Sequence, residues 1–211
     1  DMGRIAEMPF EEGTPFVLDG QLLMFVQEKT HHDFQIVSSD DAGSTWTPPQ
    51  TVIEGPVWNI STSRVALSDA LYWAMDYDVD DWPHDSKVMV RMDRSMSPLD
   101  PGAWNTSNIV RPPEVPFGLT RSMFVEESDF PFECTWFIRD LFWLEPNTVD
   151  VNGHIRVFVR CVIDQYTTSG MAAALDYDPD EQQLRFTQFT PWPGGQCKFF
   201  VVHDQRHRMY W

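Results

Sequence analysis

The eight residues from Ser39 to Trp46, Ser-Asp-Asp-Ala-Gly-Ser-Thr-Trp, constrain the fold more than any other stretch of the chain. Asp41 can bond backbone amides two residues on, and Gly43 tolerates a positive φ, so both residues favour a tight reversal. Residues 33–38 alternate polar and apolar side chains, which is typical of a half-buried strand. We expect Trp46 to begin the next strand and to cover the base of the turn. The octet therefore predicts a β-hairpin whose turn is held by its own side chains.

Short strand-like runs separated by turn signals recur along the whole chain, whereas segments with helical periodicity are scarce. This pattern is typical of an all-β sandwich, barrel or propeller. The first unit contains four runs within about 40 residues, which is the size of one propeller blade. Its runs cover residues 15–18, 21–26, 33–38 and 51–53.

Three further units repeat this order with different turn sequences. The second unit contains runs at 58–66, 71–75 and 87–91, followed by a degenerate copy of the octet at 97–104. The third unit contains runs at 143–151, 154–160, 170–175 and 184–186, with a hairpin signal at 152–153 and a turn-rich stretch at 176–181. The fourth unit begins with a run at 198–202 and breaks off after a second run at 209–211.

These units predict one β-propeller domain over residues 1–211, built from four-stranded antiparallel blades. The chain covers about four blades, and the last blade is incomplete at the C-terminus. Residues 110–139 contain four prolines and fit a central strand poorly, so we expect a distorted blade or a long loop there.

The octet fits the pattern Ser-x-Asp-x-Gly-x-Thr-Trp, and in this it resembles the Asp-box of the sialidase superfamily and related β-propellers. The alternative is an ordinary hairpin turn that contains an Asp and a Gly. The resemblance implies a sialidase-like propeller of the six-bladed type, of which this chain is a portion. Residues 143–211 also look similar to uncharacterised sialidase-like propellers of bacteria and fungi. Because Asp-boxes lie at the blade periphery, the resemblance points to a fold and not to an active site.

Chemistry in such a fold is expected at the ends of the innermost strands, which line the central channel. Glu145 is the leading catalytic candidate, because it lies near the start of such a strand beside large apolar residues that withdraw a carboxyl group from water. Arg160 ends the next strand and is predicted to bind an acidic or hydroxylated substrate at the same mouth. The segment from Glu145 through Gly153 to Arg160 resembles the sialidase segment that carries the base glutamate and one substrate-binding arginine. The alternative is a surface salt bridge between the two residues.

Further site residues are predicted on the other innermost strands. Glu12 is a candidate catalytic partner of Glu145, since glycoside hydrolases use a pair of carboxylates. Asn59, Asp78 and Lys198 are predicted to contact the substrate. Trp143 is among the tryptophans that could stack on a sugar ring.

The match to the sialidase pattern is partial. The family's Arg-Ile-Pro at the first innermost strand is replaced by Gly13-Thr14-Pro15, and Tyr210, the only late tyrosine, lies on a predicted second strand. Two of the three family arginines and the tyrosine nucleophile therefore have no counterpart. A non-catalytic propeller that binds glycans or proteins is the alternative to a glycosidase.

Metal and cofactor chemistry is not indicated by the sequence. The acidic stretches 76–81 and 176–181 lack the Gly and Glu positions of an EF-hand loop, so we expect solvated turns there. Cys134, Cys161 and Cys197 are too far apart for a zinc pair and are predicted to be buried or free thiols. No Gly-rich phosphate loop or nucleophile elbow is present, and we predict no metal and no cofactor.

The charge balance limits the partners. A formal net charge of −17 argues against nucleic acid and suits a secreted or periplasmic protein. No apolar run approaches the roughly 20 residues that cross a membrane. We therefore predict a carbohydrate ligand or substrate, processed by a glycoside hydrolase-like activity at the channel mouth. The oligomeric state stays open.

Overall fold

The computed structural model describes residues 10–28, 33–58, 62–77, 86–113, 142–162, 171–195, 197–204 and 206–211. Regular structure in these ranges is almost entirely β-strand, with one short 3-10 helix at Pro101–Ala103. No helix in the described ranges is long and apolar enough to cross a membrane.

The strands form three antiparallel sheets and one hairpin. Sheet 1 contains β1 (Phe10–Leu18), β2 (Gln21–Glu28), β3 (Phe34–Ser39) and β4 (Gln50–Ile53). Sheet 2 contains β5 (Val57–Trp58) and β6 (Val65–Ala66), which share one edge of β7 (Ala70–Tyr77), then β8 (Ser86–Asp93) and β9 (Trp104–Thr106). Sheet 3 contains β10 (Phe142–Val151), β11 (His154–Val162), β12 (Met171–Asp178) and β13 (Gln183–Pro191). The hairpin pairs β14 (His203–Asp204) with β15 (Met209–Tyr210).

Each sheet has four strand positions, and consecutive strands are neighbours. The predicted all-β fold with four-stranded antiparallel sheets is therefore confirmed, and the arrangement is consistent with a β-propeller. The sialidase-like, six-bladed form stays a prediction.

Sheet 2 lies between the other two sheets, because β7 buries side chains on both of its faces. Leu71, Trp73 and Met75 pack into the core shared with sheet 1. Tyr72 and its neighbouring alanines pack into the core shared with sheet 3. Successive side chains of β7 point to opposite faces of its sheet, so this strand takes part in two separate cores, one shared with sheet 1 and one shared with sheet 3.

The octet from Ser39 to Trp46 closes on itself as predicted, by side-chain bonds to its own backbone. Asp41 Oδ1 accepts from the Thr45 amide at 2.7 Å, and Asp41 Oδ2 accepts from the Thr45 hydroxyl at 2.7 Å. The Ser39 hydroxyl donates to Asp41 Oδ1 at 2.8 Å and accepts from the Gly43 amide at 2.8 Å. These bonds, chiefly those from Thr45, hold the pKa of Asp41 below its ordinary value. Gly43 has a φ of +89°, a conformation that costs glycine little.

Two details of this hairpin differ from the expectation. Trp46 does not begin a strand: β4 begins at Gln50, because Pro48 and Pro49 cannot donate ladder hydrogen bonds. The ring of Trp46 instead packs over the turn, 3.6 Å from where a side chain on Gly43 would begin. The strand before the octet is not half-buried either, since sheet 1 buries five of the six residues of β3.

Two predicted elements in the last third of the chain are also wrong. Residues 198–202 are not a strand: the Phe199 carbonyl and the Val201 amide bond to the Asn147 side chain, as described below, and only Val202 exchanges backbone bonds with Trp211. The predicted turn at 176–181 is shorter, because β12 continues to Asp178 and the turn occupies residues 179–182. Most of the irregular stretch 110–139 lies outside the described residues.

The cysteines behave as single thiols where they are described. Cys161 is buried in the core of sheet 3, and burial raises its pKa to about 12. Cys197 is exposed, and both of these thiols are free. Cys134 lies outside the described residues.

Candidate functional site

Glu145 lies on a β-bulge near the start of β10. Leu144 pairs with Arg160 and Asn147 pairs with Phe158, so β10 contains one residue more than β11 over this interval. Pro146 follows Glu145 in the bulge and has no amide to donate. Glu145 itself has a φ of +57°, in the left-handed region that non-glycine residues rarely adopt. Strained backbone of this kind persists only where the surroundings hold it.

Two cations flank the carboxylate of Glu145. Arg160 Nη1 donates to Oε2 at 2.9 Å, and Lys198 Nζ lies 3.4 Å from Oε1. Only 11% of the Glu145 side chain is exposed, against 19% for Arg160 and 56% for Lys198. The contact is therefore a partly buried ion triad and not a surface salt bridge. The three residues, predicted from two successive units of the chain, do meet in one place.

A second, fully buried ion pair supports the bulge from sheet 2. The Glu145 amide donates to Asp76 Oδ2 at 2.9 Å, and Asp76 Oδ1 lies 2.6 Å from Lys87 Nζ. Both side chains of this pair are 0% exposed. Lys87 also donates to the Trp143 carbonyl at 3.0 Å. The ionised pair thus fixes the backbone on both sides of Leu144.

Asn147 ties the bulge to the chain that carries Lys198. Its amide nitrogen donates to the Glu145 and Phe199 carbonyls, each at 3.1 Å. Its amide oxygen accepts from the Val201 amide at 3.2 Å and the Ser63 amide at 3.4 Å. One buried side chain therefore satisfies backbone groups from three segments that form no ladder with one another.

The loop that delivers Lys198 is anchored by tight packing. Trp192 contacts Phe158 on β11 and stacks on Phe199, with ring centroids 4.8 Å and 5.3 Å apart. The Gly195 carbonyl accepts from the Cys161 amide at 3.1 Å. A side chain on Gly195 would begin 2.3 Å from the Met171 carbonyl oxygen, so only glycine fits there. We call the residues Glu145, Arg160, Lys198, Asp76, Lys87 and Asn147 the Glu145 cluster.

The other predicted site residues are placed only in part. Glu12 lies on β1 opposite Gln27, and its side chain lies outside the described part of the structure. Asn59 and Asp78 also lie outside the described residues. Trp143 is 0% exposed and packs beneath Lys87, so it cannot stack on a sugar.

Three residues of the cluster were missed by sequence reasoning. The sequence predicts a solvated turn at Asp76, but this residue lies on β7 and is wholly buried. The sequence does not mark Lys87 or Asn147 as site residues. The one sequence signal for such residues is a charged residue directly beside a strongly apolar run. Asp76 directly follows the apolar run 70–75, and Lys87 directly precedes the apolar run 88–90.

The cluster presents one carboxylate and two cations to the outside. The side chains of Glu145, Arg160 and Lys198 keep some exposed surface, whereas those of Asp76 and Lys87 are fully buried. Such an arrangement has the donors to bind hydroxyl or acidic groups next to a carboxyl group. Among the described residues, no group of three His, Cys, Asp or Glu side chains could hold a metal ion.

In comparisons with known proteins, the fold of this chain resembles several solved structures. No family model matches the chain, and no curated protein matches it. The Bacteroides ovatus xyloglucan PUL GH43B protein aligns at a TM-score of 0.44 and 11% identity, over 87% of this chain and 32% of its own. The α-L-arabinofuranosidase from Lactobacillus brevis gives 0.45 and 12%, over 92% and 53%. The exo-β-1,3-galactanase from Clostridium thermocellum gives 0.46 and 10%, over 89% and 39%.

The chain spans between a third and about half of the length of these three structures. Likeness at this level concerns the course of the backbone. It says nothing about the chemistry of this chain.

Proposed function

We propose that the chain belongs to a glycoside hydrolase-like protein that acts on a glycan at the Glu145 cluster. Glu145 is the catalytic carboxylate in this proposal. Arg160 and Lys198 pair with it in the free protein and contact the substrate when it binds.

The observation that carries the proposal is the construction of the Glu145 site. A carboxylate is held almost buried, on strained backbone, by two cations above it and an ion pair below it. A residue needed only for solubility or for a simple surface contact does not require such support. A carboxyl group with restricted access to water, held beside cations, is suited to act as a base or as a nucleophile toward a glycosidic carbon.

The test is to replace Glu145 by Gln and measure sugar release from a panel of polysaccharides and oligosaccharides. We expect turnover to fall by at least about 100-fold, the scale typical of loss of acid–base catalysis. The amide is nearly isosteric and can still accept one hydrogen bond from Arg160, so the fold is retained. A thermal melt and a far-UV spectrum of the variant check that retention.

Glu181→Gln is the matched control for this experiment. Glu181 lies on the turn after β12, is exposed, and pairs with Arg185 on β13. It is not part of the Glu145 cluster. The control variant should release sugar at the wild-type rate. Wild-type turnover in Glu145→Gln itself would overturn the catalytic assignment.

A non-catalytic glycan-binding or protein-binding protein is the second candidate. It is favoured by one observation: both carboxylate oxygens of Glu145 already face cations, and Asp76, the carboxylate that accepts from the Glu145 amide, is sealed from solvent. Tight binding on a glycan array without sugar release by the wild-type protein would favour this candidate.

The sialidase-like, six-bladed assignment is a finer part of the same proposal. It is supported by the closed turn at Ser39–Trp46 and by the contact between Glu145 and Arg160, which resemble features of that family. A secreted or periplasmic location also belongs to the proposal, supported by the net charge of −17. Fractionation of the source cells would test the location.

A further inference from the structure

Asn147 uses the whole hydrogen-bonding capacity of its side chain. A primary amide has two N–H donors and two acceptor lone pairs. Both donors of Asn147 reach carbonyls, those of Glu145 and Phe199, each at 3.1 Å. The amide oxygen accepts from two backbone amides, that of Val201 at 3.2 Å and that of Ser63 at 3.4 Å. Exchange of the N and O atoms would make all four contacts repulsive, so the partners fix the orientation of the side-chain amide.

These bonds hold the backbone at both ends of the contact between Glu145 and Lys198. One donor of Asn147 binds the carbonyl of Glu145 itself, and the other binds the residue that directly follows Lys198. The Lys198 side chain is flexible and 56% exposed, so the backbone beneath it decides where its amine can reach. Asn147 is 0% exposed, and hydrogen bonds shielded from water are stronger than exposed ones. The 3.4 Å separation of Lys198 Nζ and Glu145 Oε1 therefore depends on backbone positions that Asn147 fixes.

The same side chain supports the strained backbone of Glu145. The φ of +57° at Glu145 persists because the surroundings hold the residue on both sides. Its amide donates to Asp76 at 2.9 Å, and its carbonyl accepts from Asn147 at 3.1 Å. The carbonyl bond comes from the side chain that also holds the Lys198 segment. A shift of that segment is therefore coupled to the backbone that aims the carboxylate.

We propose that Asn147 is a positioning residue of the Glu145 site, which sets the place of Lys198 relative to the carboxylate. Its effect on turnover rests on the proposed function, whereas its effect on Lys198 does not. An aspartate in the same place has a similar size but no N–H donors when ionised, so the bonds to the Glu145 and Phe199 carbonyls are lost. The segment that carries Lys198 then faces a carboxylate in place of a donor and moves away from Glu145.

The first experiment measures how fast limiting acetic anhydride acetylates Lys198, by mass spectrometry of the peptide that contains it. The chain has three lysines, so the acetylated product is easily assigned. In the wild type the amine is held against Glu145 and should react slowly, and Glu145→Gln gives the rate of the released amine. Asn147→Asp should raise the wild-type rate at least about threefold, the scale of a lost ion pair of this exposure. An unchanged rate would overturn the inference.

Asn108→Asp is the matched control for this experiment. The Asn108 side chain donates to the Leu184 carbonyl at 3.0 Å and accepts from the Leu184 amide at 2.8 Å, so it also joins two distant segments through backbone groups. Asn108 is not part of the Glu145 cluster. Its variant should leave the acetylation of Lys198 at the wild-type rate. Equal acceleration in Asn108→Asp and Asn147→Asp would show a general loosening of the fold and overturn the inference.

The second experiment is a double-mutant cycle between Asn147→Asp and Lys198→Met, on the glycan of the panel that the wild type cleaves fastest. Asn147→Asp should lower kcat/KM at least about tenfold in the wild type, because displaced site residues lose contact with the substrate. In the Lys198→Met background the same change should lower it at most about threefold, since the residue that Asn147 positions is already absent. Equal factors in the two backgrounds would show a purely structural role and overturn the inference. Each rate is measured well below the melting temperature of the variant.

Asn147→Ala is the second variant, because it removes the same bonds without adding a charge, and it should accelerate acetylation as Asn147→Asp does. If neither variant folds, hydrogen exchange of the Asn147 side-chain amide in the wild type decides the test. Its buried bonds predict much slower exchange than at the exposed Asn152, and equal exchange would overturn the inference. Absence of sugar release by the wild type from every glycan of the panel would refute the proposed function. The acetylation rates would still decide the role of Asn147.

Discussion

Asp41 in the turn at Ser39–Trp46 and Glu145 in its cluster are both carboxylates held by hydrogen bonds or ion pairs, but their partners are arranged in opposite ways. Every partner of Asp41 lies within four residues of it, and the turn is exposed. The amide of Glu145 bonds a residue 69 positions away, and its carboxylate faces cations 15 and 53 residues along the chain. The turn can form on its own, whereas the cluster exists only after the sheets have packed.

The difference decides what each carboxylate can do. Local bonds at an exposed turn stabilise a shape and stay accessible to water. Bonds that cross between sheets couple the position of one side chain to the packing of the whole domain. They also shield that side chain from water, which strengthens its electrostatic contacts. We infer that the chemistry lies in the second kind of arrangement.

The largest effect is expected when one member of the buried Asp76–Lys87 ion pair is removed. Lys87→Met leaves the charge of Asp76 without its 2.6 Å partner in a fully buried place. We expect the free energy of unfolding to fall by about 3–5 kcal/mol, the cost typical of an uncompensated buried charge. Urea denaturation measures this directly.

Arg185→Met is the control for that loss, because Arg185 is 57% exposed and pairs with Glu181 on a turn. Its removal should change stability by less than about 1 kcal/mol. If both variants lost the same stability, the distinction between local and cross-sheet ion pairs would be wrong.

A smaller effect is expected from crowding the loop that carries Lys198. Gly195→Ala places a carbon 2.3 Å from the Met171 carbonyl oxygen, so the loop has to shift. Overpacking of this kind costs about 1–3 kcal/mol. It should also weaken glycan binding, because Lys198 moves away from Glu145. Thermal melts and ligand titrations measure the two effects.

Gly13→Ala serves as the matched substitution, since a side chain there would begin 3.4 Å from its nearest neighbour, the end of the Met24 side chain. It should leave glycan binding unchanged. Unchanged stability and binding in Gly195→Ala would show that the loop does not position Lys198.

The smallest effect is expected at Asp41. Asp41→Ala removes the bonds to Ser39 and Thr45, and it should lower the melting temperature slightly without affecting glycan turnover. The folded state holds the pKa of this carboxyl below its ordinary value of 3.8. Its stabilising contribution is therefore present above pH 3.8 and is lost as the pH falls through the folded pKa.

Thermal melts of the wild type and Asp41→Ala from pH 7 to pH 2 should thus converge at the acid end. A constant difference down to pH 2 would contradict the charged-carboxylate account of this turn. Asp180→Ala provides the comparison, because no side-chain hydrogen bond from Asp180 is found within the described ranges.

The sequence predicted those parts of the molecule whose signals are local. Asn152-Gly153 adopts φ values of +55° and +85° and joins β10 to β11, as a hairpin signal should. Because one hairpin carries both Glu145 and Arg160, their contact followed from the same pattern.

The remaining site residues could not be predicted because their partners are distant in sequence. Asp76 and Asn147 act on backbone groups of other segments, and no local periodicity reports such bonds. The absence of the predicted strand at 198–202 has the same origin: the Phe199 carbonyl and the Val201 amide bond to Asn147 and not to a neighbouring strand. Tertiary contacts override strand propensity at such points.

The most direct measurement is a crystal structure of Glu145→Gln soaked with an oligosaccharide that the wild-type protein cleaves. The account predicts the sugar beside residue 145, with the anomeric carbon or the glycosidic oxygen about 3–3.5 Å from its side chain and with contacts to Arg160 and Lys198. A sugar bound only at the turn from Ser39 to Trp46, or on any other surface away from the Glu145 cluster, would contradict it.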